Sequence, residues 1–413
     1  MPFGLSRSRA PIIGVDFGAE RLKLIQVSPG DPPQLIATAG VDLPDEVRDS
    51  AATRMAFFAE MLPKLVRSQP FKGRRVILSM PAIHTVVQQL CVEVSPDQSL
   101  DEQIEAELMQ RLSLNPSRML IRHHEVPVTG KGNEREFVCL AAPRDIVMQY
   151  IELARRSKLD VVGMYAEPLA ILQAFDFMHR REGDDQRAVG YIDIGSATTK
   201  VVISHGTKMV FAKALPLGGE HFSREHARDR DVSVADARRA RVAAMNGQGG
   251  EASDGGGVAV AATAERDEPR IKPMRRSRLS MLDDDDDAWG DQQPATVSDD
   301  GPTPIKPSAA SEPSSGSDTL DCLVDEVSLC VRHHHNTFPT VPLERLVFLG
   351  GEAAHTPTCQ AIARAVRTAA QLGDPLARLN RKAKQRPGSG VDLRRPQPGW
   401  AVPLGLSLSE PNL

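Results

Sequence analysis

The sequence predicts an α/β fold with mixed sheets, built as two similar lobes that face one another. Three observations carry this expectation. Short runs rich in Val, Ile and Leu alternate with helical patterns along most of the chain. One hairpin pattern occurs twice in the same register, at Ile13–Ile25 and Gly190–Val202. A single long stretch, Met245 to Asp318, breaks the alternation with glycine, alanine, serine, proline and charge.

Taken in order, strands are expected at Ile12–Asp16, Leu22–Val27 and Gln34–Val41, a meander that closes on Leu43-Pro44. A helix over Ser50–Arg67 leads to strands at Arg75–Ser79 and Thr85–Val92. A helix at Leu100–Leu112 precedes strands Met119–Val126 and Glu136–Ala141, joined as a hairpin around Gly130-Lys131-Gly132-Asn133. Next come a helix at Arg144–Ser157, a strand at Val161–Tyr165 and a helix at Pro168–Arg181. The second meander, Ala188–Asp193, Thr199–Ser204 and Met209–Leu215, closes on Pro216. Helices Ser233–Ala244 and Leu320–Phe338, strand Arg345–Leu349 and helix Thr356–Ala369 complete the series. Meanders mixed with crossover helices argue for mixed sheets.

The chain has 413 residues, and at roughly 100 to 200 residues per domain it allows two to four domains. Lys and Arg number 50 against 54 Asp and Glu, a net charge of -4, so no global positive field exists to hold a nucleic-acid backbone. Five cysteines, Cys91, Cys139, Cys322, Cys330 and Cys359, form no CxxC pair. They fit neither a zinc knuckle nor a secreted disulfide framework and suit a reducing cytosol. The N-terminal residues run into an apolar strand with no signal-type core. No apolar run reaches the length of about 18 residues that a spanning helix needs. A protein that is soluble, or meets a membrane only through a partner, is the expectation. Residues 245–318 cannot bury enough apolar surface to offset backbone ordering of roughly 1 to 2 kcal/mol per residue. They are expected to form a disordered insertion, since periodic sequence resumes at Thr319 and loop closure grows only logarithmically with length.

Both hairpin copies read apolar-Asp-apolar-Gly-x4-Lys, from Asp16 and Gly18 to Lys23 and from Asp193 and Gly195 to Lys200. An Asp that ends a strand before a tight glycine turn sits beside exposed backbone N–H groups, which suits a metal and a phosphate. Gly18 and Gly195 let those donors approach phosphate oxygens with no Cβ in the way. Asp16 and Asp193 would hold Mg²⁺ through water, because magnesium dehydrates reluctantly. One D-x-G is ordinary turn chemistry, whereas two registered copies argue for a shared ligand. A third segment, Leu346–Leu349 running into Gly350-Gly351-Glu352-Ala353, gives a flat turn suited to a purine or ribose.

On these residues the sequence resembles the actin-like ATPase superfamily, with two phosphate motifs (Asp16 to Lys23, Asp193 to Lys200) and an adenosine motif (Leu346 to Ala353). Leu215-Pro216-Leu217-Gly218-Gly219-Glu220, the helix Leu320–Phe338 and the closing Trp400–Leu408 resemble the PilM branch, itself similar to FtsA. The resemblance implies an actin-like ATPase fold, two RNase H-like lobes around a nucleotide cleft with a small α+β subdomain inserted in the first lobe. Residues 10–90 with 143–185 would form the first lobe, 91–142 the subdomain, and 186–244 with 319–413 the second lobe. It implies ATP and Mg²⁺ as ligands. ATP contacts would come from Asp16, Gly18, Ala19 and Lys23; from Asp193, Gly195, Ser196, Ala197 and Thr198; and from Gly218, Gly219, Gly350, Gly351, Glu352 and Ala353. The metal would be held by Asp16 and Asp193 through water. The implied partner is the cytoplasmic tail of a PilN-like membrane protein, bound beside the subdomain, at the cytoplasmic face of the inner membrane. A motor ATPase, platform proteins and self-association are further contacts that the resemblance leaves open. Nucleic-acid binding and direct membrane insertion are not expected.

The chain departs from that pattern at the first turn, where Ala19 and Glu20 replace small hydroxyl residues and a carboxylate would face a γ-phosphate. Ser196, Thr198 and Thr199 keep the hydroxyl-rich pattern in the second. Glu167 takes the place where actin-like ATPases position an attacking water, although an acid favoured by a helix dipole reads the same. Nucleotide binding with slow or absent hydrolysis is therefore expected. His333-His334-His335 cannot converge on one ion from consecutive helix positions and is read as a solvated helix end; His123-His124 on a strand face opposite ways. Asp283–Asp287 reads as an interaction or solubility segment. Two other functions remain open at this stage. An FtsA-like division protein needs a basic amphipathic C-terminal helix that Leu404–Leu413 does not provide, and a small-molecule kinase of the same superfamily needs a general base in the cleft.

Overall fold

A computed structural model describes residues 10–48, 50–112, 115–127, 133–248, 319–380 and 389–413. The first meander is β1 (Ile13–Phe17), β2 (Arg21–Ser28) and β3 (Gln34–Asp42), followed by α1 (Asp45–Arg48), α2 (Ala51–Ser68) and β4 (Arg75–Met80). All five residues of β1 are buried, as a strand covered on both faces requires. α2 begins at Ala51 because the Ser50 hydroxyl caps it, accepting from the N–H groups of Ala52 at 3.2 Å and Thr53 at 3.5 Å. Its buried residues Phe58, Leu62 and Leu65 recur at helical spacing and face the sheet.

Next come β5 (Val86–Glu93), α3 (Leu100–Leu112), β6 (Met119–Val126), β7 (Glu134–Pro143), α4 (Arg144–Arg156), β8 (Asp160–Ala166) and α5 (Glu167–Phe175). The second meander is β9 (Ala188–Ile194), β10 (Thr199–His205) and β11 (Lys208–Leu215), followed by α6 (Gly219–Arg230), α7 (Val234–Gln248) and α8 (Thr319–Thr337). The chain closes through β12 (Leu343–Leu349), α9 (Thr356–Val366), β13 (Ala369–Leu372) and α10 (Ala401–Leu408).

Two five-stranded sheets result, ordered β3-β2-β1-β4-β8 and β11-β10-β9-β12-β13. In each, an antiparallel meander is extended by two parallel strands. The sequence repeat is thus a repeat of whole sheets with ribonuclease-H-like strand order. Helices α5 and α10 cross between them. A Cβ on Gly405 would lie 1.7 Å from the Ala170 carbonyl oxygen, and one on Gly14 would lie 2.1 Å from that of Pro403. These two glycines let α10 press backbone to backbone against α5 and β1.

The third sheet, β5-β7-β6, is antiparallel. Side chains on β7 alternate between its faces. Phe137 and Cys139 pack with Ile104 and Leu108 of α3, whereas Val138 and Leu140 join the core that contains β9 to β11. Gln89 donates to the Val210 carbonyl at 3.3 Å across this contact.

The structure departs from the sequence expectations in several places. α9 ends at Val366, with Arg367 in a left-handed cap, and Ala369–Leu372 pairs with β12 as a strand. α5 stops at Phe175 and gives way to a 3-10 turn. α6 and α10 were not anticipated. α7 runs on to Gln248 with Met245 buried, so residues 245–248 are helical; the rest of the expected insertion, residues 249–318 with the Asp283–Asp287 run, lies outside the described residues, as does turn 128–132. Finally, His334 is no solvated helix end. It is 1% exposed, on the inner face of α8 with Leu323, Val327 and Cys330, and its Nε2 lies 2.8 Å from that of His205.

Candidate functional site

Hairpin register decides the chemistry of the repeated motif. In both copies a four-residue turn places the aspartate directly opposite the lysine, Asp16 across from Lys23 and Asp193 across from Lys200. Opposed cross-strand residues are within reach of an ion pair. Lys23 Nζ lies 3.3 Å from Asp16 Oδ2, and Asp16 Oδ1 accepts from the Ser79 hydroxyl at 3.3 Å. In the second copy Lys200 Nζ is 3.1 Å from Asp193 Oδ2 and 2.9 Å from Glu167 Oε2. The Ala82 N–H donates to the other Glu167 oxygen at 3.1 Å. Burial opposes the charge on Lys200, but the Asp193 and Glu167 carboxylates outweigh it and hold the ammonium above the ordinary lysine range. Two carboxylates share that one cation. Burial accordingly pushes the Glu167 carboxyl up, with Lys200 opposing and the charges of Asp16 and Asp193 adding to the rise.

The other motifs dock on the second turn. Gly195 N–H donates to the Thr198 carbonyl at 3.0 Å, closing the hairpin. Gly219 N–H donates to Gly195 O at 3.0 Å and Glu220 N–H to Ser196 O at 2.8 Å, so the start of α6 sits on the turn. A Cβ on Gly218 would lie 2.4 Å from Gly195 O. Thr199, fully buried, donates its hydroxyl to Leu217 O at 2.8 Å and fastens the same segment. Gly350 adopts a φ of 88°, and a Cβ there would lie 2.5 Å from Asp193 Oδ1; glycine is required on both counts. Lys23 Nζ and Gly351 N each lie 3.8 Å from the Cβ position of Gly399, which brings the first phosphate motif against the adenosine motif. Asp16, Lys23, Glu167, Asp193, Gly195, Gly218, Gly219, Gly350 and Glu352 therefore converge on one cleft. Gly18, Ala19, Ser196, Ala197 and Thr198 form its two partly exposed turns.

Several residues of the cleft were not foreseen. Buried Glu352 packs against Gly219 and accepts from Arg241, which also donates to Gly219 O at 2.8 Å and Ser223 Oγ at 2.7 Å. Burial pushes the Glu352 carboxyl up, with Arg241 pulling the other way. Arg238 bridges Glu220, at 2.5 Å, and Asp45 of α1, thereby tying α7 to the first sheet's side. Glu20 does not stand free in the turn, because Arg48 Nη1 lies 3.2 Å from its carboxylate. The signals for these roles were present. The Asp–Lys spacing is that of opposed hairpin partners, and Arg238 and Arg241 share a helix face at i, i+3.

The arrangement fits a nucleoside phosphate. Lys23 is 19% exposed beside the Gly350-Gly351 turn, and a Cβ at Gly351 would meet nothing within 4 Å. The same geometry does not fit a divalent cation on Asp16 and Asp193, since each carboxylate already carries an ammonium. Among the described residues no group of three or more His, Cys, Asp or Glu side chains is gathered to hold a metal. No described helix is long and apolar enough to cross a membrane.

The family model for the type IV pilus assembly protein PilM matches residues 14–250. A solved PilM-PilN type IV pilus biogenesis complex is similar with a TM-score of 0.67 at 17% identity, over 97% of this chain and 98% of that one. The ethanolamine utilization protein EutJ from Carboxydothermus hydrogenoformans is 12% identical with a TM-score of 0.45, over 96% of this chain and 89% of that one. The activator of 2-hydroxyisocaproyl-CoA dehydratase from Clostridium difficile, solved with bound ADPNP, is 10% identical with a TM-score of 0.35, over 96% and 93%. No curated protein sequence matches the chain significantly. With two ribonuclease-H-like sheets and the family match across residues 14–250, the chain has the actin-like ATPase fold and belongs to the PilM family of type IV pilus assembly proteins.

Proposed function

We propose that this protein is a nucleotide-binding scaffold of a type IV pilus or related secretion platform, recruited to the inner membrane by the cytoplasmic tail of a PilN-like protein. The observation that carries the reading is the meeting of Lys23, the Gly195 turn and the Gly350-Gly351 turn. Bound ATP would supply a triphosphate for Lys23 and the turn N–H groups, and a base and ribose for the segment Gly350–Ala353. Weak or absent hydrolysis is expected because Glu167 is buried, with one oxygen on the Lys200 ammonium and the other on the Ala82 N–H, which restrains it from orienting a water.

The test is equilibrium binding of a fluorescent ATP analogue to the purified protein and to Gly351→Trp and Lys23→Ala, with phosphate release followed in parallel. A Cβ at 351 meets nothing within 4 Å, so Trp there is expected to fill the space beside the turn with little displacement of protein atoms. Saturable binding, weakened at least tenfold in both variants and with little phosphate release, is expected. Absence of saturable binding to the intact protein would leave a peptide-binding adaptor on an actin-like frame. A labelled tail peptide, titrated with and without ATP, tests recruitment separately.

A further inference from the structure

We propose that Lys200 is a protein-borne cation that takes the place of a divalent metal in the cleft, so that nucleoside phosphate binds there without magnesium. Its ammonium lies between carboxylates from two different segments, Asp193 on β9 and Glu167 at the start of α5, at 3.1 and 2.9 Å. A second cation brought to these oxygens would meet both the volume and the charge of the first. The lysine has little freedom to swing away. Its side chain is 7% exposed, and its backbone is fixed opposite Asp193 by the β9–β10 register.

The other carboxylate oxygens are engaged or closely packed as well. The second Glu167 oxygen accepts from Ala82 N–H, and Asp193 Oδ1 is crowded against Gly350. Asp16 is held by Lys23 and by Ser79. The two motif lysines thus differ in office, although the sequence gives them the same register. Lys23 is partly exposed toward Gly351 and Gly399 and is the cation left for phosphate oxygens. Lys200 is internal and neutralises the acids that would otherwise call for a metal.

The inference rests on the nucleotide reading for one arm of its test and stands apart from it in the other. In the first arm, Mn²⁺ is titrated as a paramagnetic probe against the intact protein, Lys200→Met, and Lys200→Met/Asp193→Asn, with binding read by electron paramagnetic resonance and folding by circular dichroism. The acid run Asp283–Asp287 is common to all three and cancels in the comparison. Lys200→Met is expected to gain one Mn²⁺ site that the double variant lacks, and its thermal midpoint is expected to rise with added metal while that of the intact protein does not. In the second arm, nucleotide affinity of the intact protein is compared in Mg²⁺ and in EDTA, with a change of less than about threefold expected. A cleft Mn²⁺ site in the intact protein, abolished by Asp193→Asn alone, overturns the proposal, as does a tenfold loss of nucleotide affinity in EDTA. A folded Lys200→Met that gains no site overturns it too. If Lys200→Met does not fold even with metal present, the intact protein's Mn²⁺ titration and EDTA comparison decide. Failure to bind nucleotide under any condition defeats the functional reading alone and leaves the Mn²⁺ titration to judge the lysine.

Discussion

Acidification tests the buried histidine pair. His334 and His205 meet through their Nε2 atoms at 2.8 Å, 1% and 6% exposed, with the Phe338 ring 4.6 Å from that of His205. One ring must donate and the other accept, so the accepting imidazole is neutral and the two rings cannot both be protonated. Burial, and then the neighbouring His205, His335 and His333, lowers the His334 pKa from 6.5 to about 4; burial also lowers that of His205. A histidine whose folded-state pKa is depressed stabilises the fold above its unfolded value. The contribution is lost as pH falls from about 6.5 toward 4. Two and a half units at about 1.4 kcal/mol each set a ceiling between about 3 and 4 kcal/mol, of which a series that ends at pH 4.5 reads about 2 to 3 kcal/mol. The assay is urea unfolding of the intact protein and of His334→Leu between pH 8 and pH 4.5. Carboxylates titrate in both proteins, so the difference in slope isolates the pair. Parallel pH profiles would refute the reasoning.

Gly405→Val, which places side-chain atoms on the Ala170 carbonyl, is expected to cost upward of about 3 kcal/mol or to abolish soluble expression; a near-native urea midpoint would show that α10 can shift away from α5. Gln26→Leu removes the amide that donates to Pro11 O and Lys72 O and accepts from Lys72 N–H, each at 2.7 Å. The loss is expected to be about 2 to 4 kcal/mol, and one below 1 kcal/mol by the same assay would mean that water takes over these groups. Arg238→Met leaves the Asp45 and Glu220 carboxylates without the guanidinium between them; a fall of about 1 to 2 kcal/mol is expected after allowing for the exposure of Asp45, and an unchanged midpoint would deny that the bridge holds the two sides together.

What could be read from the sequence follows from which forces are local. Strands such as β1, β9 and β12 are buried runs of Val, Ile and Leu whose composition already declares them. β13, Ala-Ala-Gln-Leu, carries no such signal and exists because β12 offers it a parallel edge. α10 contains Pro403 and Gly405, residues that read as breakers. It is helical because nearly every residue is buried against α5, β1 and β2. The site divides along the same line. The aspartates, glycines and lysines of the two turns are a local, repeated pattern and were legible. Glu167 reaching Lys200, Asp45 reaching Arg238 and His205 reaching His334 are side-chain meetings between distant segments, and no spacing rule along one chain reveals them.

The cleft carries its own counterions, and that changes what a nucleotide can do in it. Lys200–Glu167 links β10 to the segment after β4 through Ala82, while Arg238–Asp45 links α7 to α1. Both pairs run between the sides of the two large sheets. On the proposed reading, phosphate engages Lys23, which belongs to neither crossing pair, so nucleotide binding leaves both crossing contacts intact. A ligand shifts an equilibrium only by its differential affinity for the two states, and moving one from 1:99 to 99:1 requires a preference of about 10⁴. A nucleotide that keeps both crossing pairs adds to an arrangement already favoured. Its expected effect is to add to the contact between the two sheets rather than to drive a cycle of opening. A partner tail that bound tightly only when Arg238 or Lys200 was removed would reverse that order, making the open form the receptive one.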